Sequence, residues 1–228
     1  MGIIHRNVIT IYDFGIERQH PFIVMELLSG RTLRAELESF KRLSPERAIE
    51  ILDGVCAAIE EAHRRQFLHR DIKPENIFLA NTPTGEVVKV LDFGLAKALG
   101  ISNMSSTAAA TGGIAGTPCY MAPEQIAGGR VGLSSDVWAL GVVAYEMLTG
   151  AHSFAADTTE VWQASLLDGT FTPLRVHQPS SCREAQLVFE EVFQRDPARR
   201  TSSAGRFLCE LRAALKNQSD DDAHARTG

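Results

Sequence analysis

One eight-residue segment, from His69 to Asn76, constrains this chain more than any other part of its sequence. The segment contains an aspartate, a lysine two places after it and an asparagine five places after it, so one short loop presents a base, a cation and an oxygen ligand. Two shorter motifs follow in order, Asp92-Phe93-Gly94 and Ala122-Pro123-Glu124. Each residue type alone is ordinary in a loop, but their concentration at these spacings indicates a catalytic or ligand-binding site.

The three motifs together resemble those of protein kinases, in the same order and at kinase spacing. The resemblance runs from about His5 to about Leu215, and the chain is most similar to the eukaryotic-type Ser/Thr kinases of bacteria. It implies an α+β fold, predominantly α, with a kinase-like large lobe and a two-stranded remnant of the small lobe. It also implies ATP and Mg²⁺ as cofactors and phosphoryl transfer to Ser or Thr hydroxyls of a protein substrate.

The resemblance implies a role for each polar residue of the site. Asp71 would accept or orient the proton of the attacking hydroxyl, and Lys73 would hold the γ-phosphate as a point charge. Asn76 and Asp92 would ligate Mg²⁺, which prefers hard oxygen ligands. Thr117 would hydrogen-bond the catalytic aspartate and lysine and, with Lys73, favours Ser and Thr over Tyr as the acceptor. The alternative for Thr117 is a turn residue before a proline.

The same resemblance implies regulatory residues. Arg70 would pair with a phosphate on the activation loop through a bidentate, charge-assisted contact. The candidates for phosphorylation are Thr107 and Thr111, and Thr111 is favoured because it lies six residues before Thr117. The alternative is that both are solvated threonines in a loop rich in Ser, Thr, Ala and Gly.

Three further residues would support the scaffold. Glu124 and Arg200 are expected to form an ion pair, and Asp136 is expected to bond the backbone of the catalytic loop. His69 is expected to pack against Phe93.

Nucleotide binding is expected where the small-lobe remnant meets the large lobe. By resemblance, Met25 occupies the gatekeeper position before the hinge. The carbonyl of Glu26 and the N–H and carbonyl of Leu28 would face the adenine edge, and Phe78 would lie under the adenine ring.

Local patterns predict two pairs of strands and a long helix. Residues 5–13 and 22–25 favour strands around a turn at 15–20, and residues 77–79 and 87–91 favour a second hairpin with its turn at 82–85. Ser44 is a good N-cap, and Pro45 fits the first helical position because its missing N–H has no partner there.

The later part of the sequence predicts helices. Residues 137–149 are apolar almost all round, so this helix belongs in the middle of the globule, with a cap at residues 134–136 and Gly150 as the stop. Further helices are expected near residues 158–167, 183–194 and 203–216. The predicted organisation is therefore a small-lobe remnant over residues 1–28, a large lobe over 29–216 and a disordered polar tail over 217–228.

Composition limits the functions that the chain can have. A formal net charge of −5 gives no electrostatic footprint for nucleic acid or an anionic membrane. The four cysteines lack metal-binding spacing, so we expect a reducing compartment and a cytoplasmic protein. No apolar run reaches membrane-spanning length, and no membrane segment is expected in this sequence.

The kinase pattern breaks before the hinge. No glycine-rich loop, strand lysine or helical glutamate precedes Met25, and the first lysine is Lys41. The Gly112–Gly116 run follows no predicted strand and opens no helix, so it is not a phosphate loop. Two hypotheses follow: a kinase whose activity needs these elements from elsewhere, including a partner that supplies or covers the small lobe, or a catalytically inactive module that binds a protein.

Overall fold

The computed structural model describes residues 3–18, 20–93, 118–154, 158–178 and 183–225. The strands within these residues form a two-stranded and a three-stranded sheet, both antiparallel. The strands are β1 (Ile11–Glu17), β2 (His20–Met25), β3 (Gly30–Thr32), β4 (Ile77–Thr82) and β5 (Gly85–Val90). The helices are α1 (Leu33–Phe40), α2 (Pro45–Arg64), α3 (Pro123–Ile126), α4 (Leu133–Thr149), α5 (Thr159–Asp168), α6 (Leu174–His177), α7 (Arg183–Val192) and α8 (Ala204–Ala225).

The first hairpin lies later in the chain than its pattern predicts. Strand β1 begins at Ile11 and pairs with β2, whereas residues 5–10 run along β5. Asn7 O accepts from Val90 N–H at 2.7 Å, and Ile9 N–H donates to Val90 O at 3.0 Å. The apolar pattern before Ile11 therefore marks a segment that packs on the large lobe, and the expected strand over 5–13 is wrong in its boundaries.

The β1–β2 hairpin adds little to the hydrophobic core. Tyr12, Phe14 and Ile16 on β1 are 60 to 76% exposed, and Val24 on β2 is 44% exposed. A two-stranded hairpin is marginal in water unless another layer covers its apolar face. The main core therefore lies in the helical part of the chain and the three-stranded sheet.

The second predicted hairpin is present as β4 and β5, with Phe78 opposite Lys89. The structure adds β3 on the outer side of β4, and α1 directly after it. Neither was predicted, because β3 is only three residues long and α1 only eight. The Thr32 hydroxyl caps α1 by accepting from Ala35 N–H at 3.2 Å.

Helix α4 forms the centre of the large lobe, as its all-round apolar surface predicts. Trp138, Tyr145 and Leu140 on this helix are each 0% exposed. The helix ends at Gly150, which adopts the expected left-handed conformation (φ 70°). Its N-cap is Gly132, not residues 134–136, since the helix already begins at Leu133 and the Ser135 hydroxyl accepts from Gly132 N–H at 3.3 Å.

The structure also moves the expected boundary of the polar tail. Helix α8 continues past Lys216 to Ala225, where a disordered tail was expected to begin at Asn217. The sequence between Lys216 and Ala225 has neither glycine nor proline, so nothing in it breaks the helix. Among the described helices, none is long and apolar enough to cross a bilayer.

The burial of α4 makes a stability prediction. Leu140→Ala should lower the free energy of unfolding by about 2–5 kcal/mol, because it removes fully buried methyl groups and leaves a cavity. Leu187→Ala on α7, where the side chain is 49% exposed, is the matched control and should change it by about 0.5 kcal/mol or less. Urea unfolding followed by circular dichroism measures both, and equal losses would contradict this assignment of the core.

Candidate active site

The catalytic-loop segment is attached to α4 by one carboxylate. Asp136 is 2% exposed, and its Oδ2 and Oδ1 atoms accept from the backbone N–H groups of His69 (2.9 Å) and Arg70 (2.8 Å). Oδ2 also lies 2.8 Å from Nε2 of His63. The structure thus places Asp136 in the backbone contact predicted for it. Arg70 adopts a left-handed conformation (φ 69°), and a non-glycine residue there needs such external support.

His69 connects the catalytic loop to the end of β5. Its Nε2 donates to Leu91 O at 2.8 Å, and Nδ1 accepts from Asp71 N–H at 3.3 Å, so both ring nitrogens have partners in the neutral form. Burial lowers the pKa of His69, which keeps the ring neutral at pH 7. The ring centroid lies 4.7 Å from that of Phe93, the packing that the sequence predicts.

Three predicted site residues meet on one carboxylate. Oδ2 of Asp71 accepts from Lys73 Nζ at 2.7 Å and from Asn76 Nδ2 at 3.0 Å. Asn76 Nδ2 also donates to the backbone carbonyl of Asp71 at 2.8 Å. The loop therefore holds its acid, amide and ammonium groups together through its own hydrogen bonds.

Asp92 follows the strand that pairs with β4. It is exposed and has a positive φ of 54°, and Leu91 N–H just before it donates to Asn76 O at 2.8 Å. This contact brings the start of the Asp92-Phe93 motif to Asn76. The amide oxygen of Asn76 and the carboxylate of Asp92 are hard donors that suit Mg²⁺ when phosphate oxygens complete its coordination. Within the described part of the chain, no group of three or more His, Cys, Asp or Glu could hold a metal ion by itself.

The hinge residues lie between the two sheets. Met25 ends β2, and Glu26 N–H donates to Thr10 O at 2.9 Å, while Leu28 is half-buried. The Glu26 carboxylate accepts from Lys89 Nζ at 2.6 Å and from Thr10 N–H at 2.7 Å. Burial raises the pKa of the Glu26 carboxyl, but the contacts with Lys89 and the Thr10 N–H lower it by more. The pKa of Glu26 therefore lies below its ordinary value.

Phe78 is half-buried on β4, which pairs with β3, the strand that follows the hinge. The sequence did not predict the contact between Glu26 and Lys89. The two residues are 63 positions apart, and neither local pattern nor spacing joins them.

Glu124 and Arg200 form the expected ion pair. The guanidinium contacts both carboxylate oxygens, at 2.9 and 3.1 Å, with the Arg200 side chain 0% exposed. Arg200 also stacks over Trp138, 5.0 Å from the ring centroid. Burial raises the pKa of Glu124, but hydrogen bonds from Arg200 and Ser135 more than offset this, so the pKa lies below its ordinary value.

Three predicted residues lie outside the described part of the chain. They are Thr107, Thr111 and Thr117. The structure also shows a polar cluster that the sequence did not predict, in which Arg34 contacts Glu75, Tyr120 and Glu146. Its members come from four separate segments, so no spacing rule could have found it.

The fold and the placement of these residues define a protein-kinase large lobe. The family model described as protein kinase domain matches residues 1–211, and the chain belongs to this family. A crystal structure of the Mycobacterium tuberculosis PknI kinase domain superposes with a TM-score of 0.70 at 23% identity, covering 95% of this chain and 73% of that one.

Two similar curated relatives come from bacteria. A probable serine/threonine-protein kinase of Streptomyces coelicolor, SCO3848, is 36% identical over 219 residues, which is 94% of this chain and 32% of the relative. PrkC of Bacillus subtilis, a serine/threonine-protein kinase, is 32% identical over 211 residues, 92% of this chain and 32% of the relative. The chain therefore resembles bacterial eukaryotic-type Ser/Thr kinases and spans about a third of the length of these relatives.

The Glu124–Arg200 pair predicts a large effect of mutation. Arg200→Met should cost about 3–5 kcal/mol of unfolding free energy, because it leaves the Glu124 carboxylate buried without its cation. Arg206→Met is the matched control: that arginine pairs with Glu191 and Glu210 and is 51% exposed, so its loss should lower the unfolding free energy far less than the loss of Arg200.

Thermal and urea unfolding measure both variants. Adding Glu124→Gln to Arg200→Met should recover part of the loss, since the uncompensated charge is then removed. A loss in Arg200→Met no greater than that in Arg206→Met would show that the buried pair is not needed.

Proposed function

We propose that this chain carries the catalytic loop and large lobe of an ATP-dependent Ser/Thr protein kinase. The observation that carries the proposal is the meeting of Lys73 and Asn76 on the Asp71 carboxylate, with Asp92 brought to the same loop. The names of the relatives, which are serine/threonine-protein kinases, support the same acceptor class.

The site residues would act by position and charge. Asp71 orients the Ser or Thr hydroxyl of the substrate and accepts its proton as the oxygen bonds to the γ-phosphorus, while the bond from that phosphorus to the β–γ bridging oxygen breaks and ADP leaves. Lys73, which shares the Asp71 carboxylate in this structure, moves its ammonium toward the transferred phosphoryl group. Mg²⁺, when held by Asn76 and Asp92, supplies positive charge to the phosphate oxygens.

The nucleotide base would bind at the hinge. Main-chain groups of Glu26 and Leu28 pair with the adenine edge, Met25 borders the pocket and Phe78 supports the ring. The side chain of Glu26 is directed to Lys89 and its N–H donates to Thr10 O, so its carbonyl is the main-chain group that would face the adenine edge.

A cation for the α- and β-phosphates is the part that these residues do not supply. The lysines before residue 94 are Lys41, Lys73 and Lys89. Lys73 contacts Asp71, Lys89 contacts Glu26, and Lys41 is the C-cap of α1, beyond the hinge in the sequence. We therefore propose that activity requires a lysine and a glycine-rich loop contributed by residues outside this sequence, either in the same protein or from a partner.

A second candidate function is a protein-binding module without catalysis. The exposed Tyr12, Phe14 and Ile16 side chains of the β1–β2 hairpin favour a covering protein layer, which a catalytically inactive chain could also use. The preserved contacts of Asp71, Lys73 and Asn76 favour the kinase, because a binding module does not need them.

Regulation and compartment complete the proposal. Arg70 is exposed beside the catalytic aspartate, and we propose that it binds a phosphate on Thr111 or Thr107. Thr117 would contact Asp71 and Lys73. Cys56, Cys119 and Cys209 are free, as suits a reducing, cytoplasmic environment.

The catalytic assignment is tested by Asp71→Asn in a protein whose reading frame is extended upstream of Met1. Phosphorylation of a Ser-containing peptide in Mg·ATP should fall about 100-fold or more, because the amide cannot accept the hydroxyl proton. Asp53→Asn, an exposed carboxylate on α2, is the control and should retain activity. Retained phosphorylation in Asp71→Asn would remove the catalytic role.

The need for a further cation is tested with the 228-residue chain alone. It should show negligible Mg·ATP-dependent autophosphorylation, because Lys73 and Lys89 are already paired with Asp71 and Glu26. Radiolabelled ATP and gel autoradiography measure this. Robust turnover that disappears in Asp71→Asn would prove the requirement wrong.

A further inference from the structure

Gln125 links helix α3 to the catalytic loop through its side-chain amide. Its Oε1 atom accepts from Ala122 N–H at 2.9 Å, and its Nε2 atom donates to the carbonyl of Arg70 at 3.3 Å. Gln125 is half-buried and lines the same small cavity as Asp71. One side chain therefore joins the start of α3 to the peptide group that precedes the proposed catalytic aspartate.

The peptide group between Arg70 and Asp71 is held at both ends. Gln125 donates to its carbonyl, and His69 Nδ1 accepts from its N–H at 3.3 Å. A peptide group is planar, so contacts at its two ends fix its rotation relative to the rest of the loop. The direction of the Asp71 side chain depends on that rotation, because this peptide group ends at the Cα atom of Asp71.

Arg70 needs support on both sides because its backbone is left-handed (φ 69°). A non-glycine residue keeps this conformation only where its neighbours hold it. Asp136 holds the peptide group before Arg70, since its carboxylate accepts from Arg70 N–H at 2.8 Å, and Gln125 holds the peptide group after it. Asp136 lies on α4 and Gln125 on α3, so the two supports come from separate helices.

The side-chain amide of Gln125 suits both of its contacts. It offers an acceptor to Ala122 N–H and a donor to the Arg70 carbonyl. A glutamate of the same shape has two acceptors, so it keeps the first contact but places oxygen against oxygen at the second. A methionine of similar length keeps neither contact. Substitutions can therefore separate the capping of α3 from the support of the catalytic loop.

We propose that Gln125 is a positioning residue for Asp71. Its contact with the Arg70 carbonyl holds the peptide group before the aspartate, and this keeps the carboxylate where it meets Lys73 and Asn76. The inference rests on the proposed kinase function for its effect on catalysis, whereas its effect on the backbone is a property of the fold. A displacement of α3 would reach Asp71 through this contact.

A role confined to α3 predicts a different result. Gln125 is the third residue of that helix, and its contact with Ala122 N–H forms part of the N-terminal cap. If this cap were its whole contribution, Gln125→Glu would behave as the wild type, because glutamate makes the same cap. If the contact with Arg70 matters, Gln125→Glu and Gln125→Met share a defect at Asp71.

The first measurement is hydrogen exchange of the Asp71 amide, followed by NMR in the 228-residue chain. Gln125→Glu and Gln125→Met should each raise its exchange rate about five- to tenfold, the change expected from the loss of one hydrogen bond. The amide of Val143, in the buried centre of α4, reports the stability of the whole chain. Its exchange rate should stay at the wild-type value in Gln125→Glu.

Gln186 on α7 supplies the matched control. It also accepts from a backbone N–H at the start of a helix, that of Leu174 at 2.9 Å, and it makes no contact with the catalytic loop. Gln186→Met therefore removes a glutamine with a similar capping role. It should leave the exchange rate of the Asp71 amide unchanged.

The second measurement is peptide phosphorylation in Mg·ATP by the upstream-extended protein. Gln125→Glu and Gln125→Met should each lower kcat about tenfold and leave the KM values for ATP and peptide within about twofold, because the substrates still bind while Asp71 is no longer held in place. Gln186→Met should retain the wild-type kcat. A change in KM with kcat unchanged would show that Gln125 acts on substrate binding, and it overturns the positioning role.

Each remaining outcome decides the proposal. Wild-type exchange at Asp71 in a folded Gln125→Glu chain overturns it, as does an equal rise at Asp71 and Val143, which reports a loss of overall stability. Because Gln125→Glu keeps the cap of α3, the test stands even if Gln125→Met does not fold. If exchange rises at Asp71 alone but the extended protein with Gln125 intact phosphorylates no peptide, the kinase function falls while the backbone role stands.

Discussion

The buried carboxylate of Asp136 is the interaction on which the catalytic site depends. A charge that is 2% exposed needs donors to replace water, and here the backbone N–H groups of His69 and Arg70 and the ring of His63 surround it. The same contacts hold Arg70 in its left-handed conformation. Because the backbone turns at that point, the next side chain, Asp71, is presented to Lys73 and Asn76.

Two neighbouring residues of α4 hold two different parts of the site. Asp136 holds the catalytic loop, and the Ser135 hydroxyl donates to Glu124 at 2.6 Å, next to the Arg200 ion pair. Helix α4 therefore fixes the positions of both the catalytic loop and the segment around α3. The helix is itself buried in the main core. Burial of α4 thus sets the relative position of segments that are more than fifty residues apart in the sequence.

The sequence predicted those parts of the structure that local chemistry determines. The Ser44 cap, the β4–β5 hairpin and the Gly150 stop each depend on residues within a few positions of one another, and each is present. The meeting of Asp71, Lys73 and Asn76 followed from spacing on one loop. Glu124 and Arg200, 76 residues apart, were paired only through the family resemblance.

Features that depend on tertiary structure were not predictable in this way. Residues 5–10 had the apolar pattern of a strand, but they lie along β5, about eighty residues later in the sequence. No local pattern predicts that partner. Ser135 and Asp136, near the start of α4, also bond to Glu124 and to the backbone of Arg70, and no local rule reveals those partners. The Glu26–Lys89 and Arg34–Glu146 contacts have the same origin in long-range packing.

The proposed nucleotide cleft has the catalytic loop on one side and the β1–β2 hairpin on the other. The described residues make more contacts on the side of the loop. On the catalytic side, Asp71 accepts two side-chain hydrogen bonds, and the buried Asp136 carboxylate holds the backbone of the loop. On the nucleotide side, the β1–β2 hairpin leaves its aromatic and aliphatic side chains in water. Lys89 on β5 donates to the Glu26 carboxylate. Under the proposed kinase function, the loop supplies groups that would orient the acceptor hydroxyl. The two lysines described near the proposed nucleotide site, Lys73 and Lys89, are paired with Asp71 and Glu26, and the hairpin side chains are exposed.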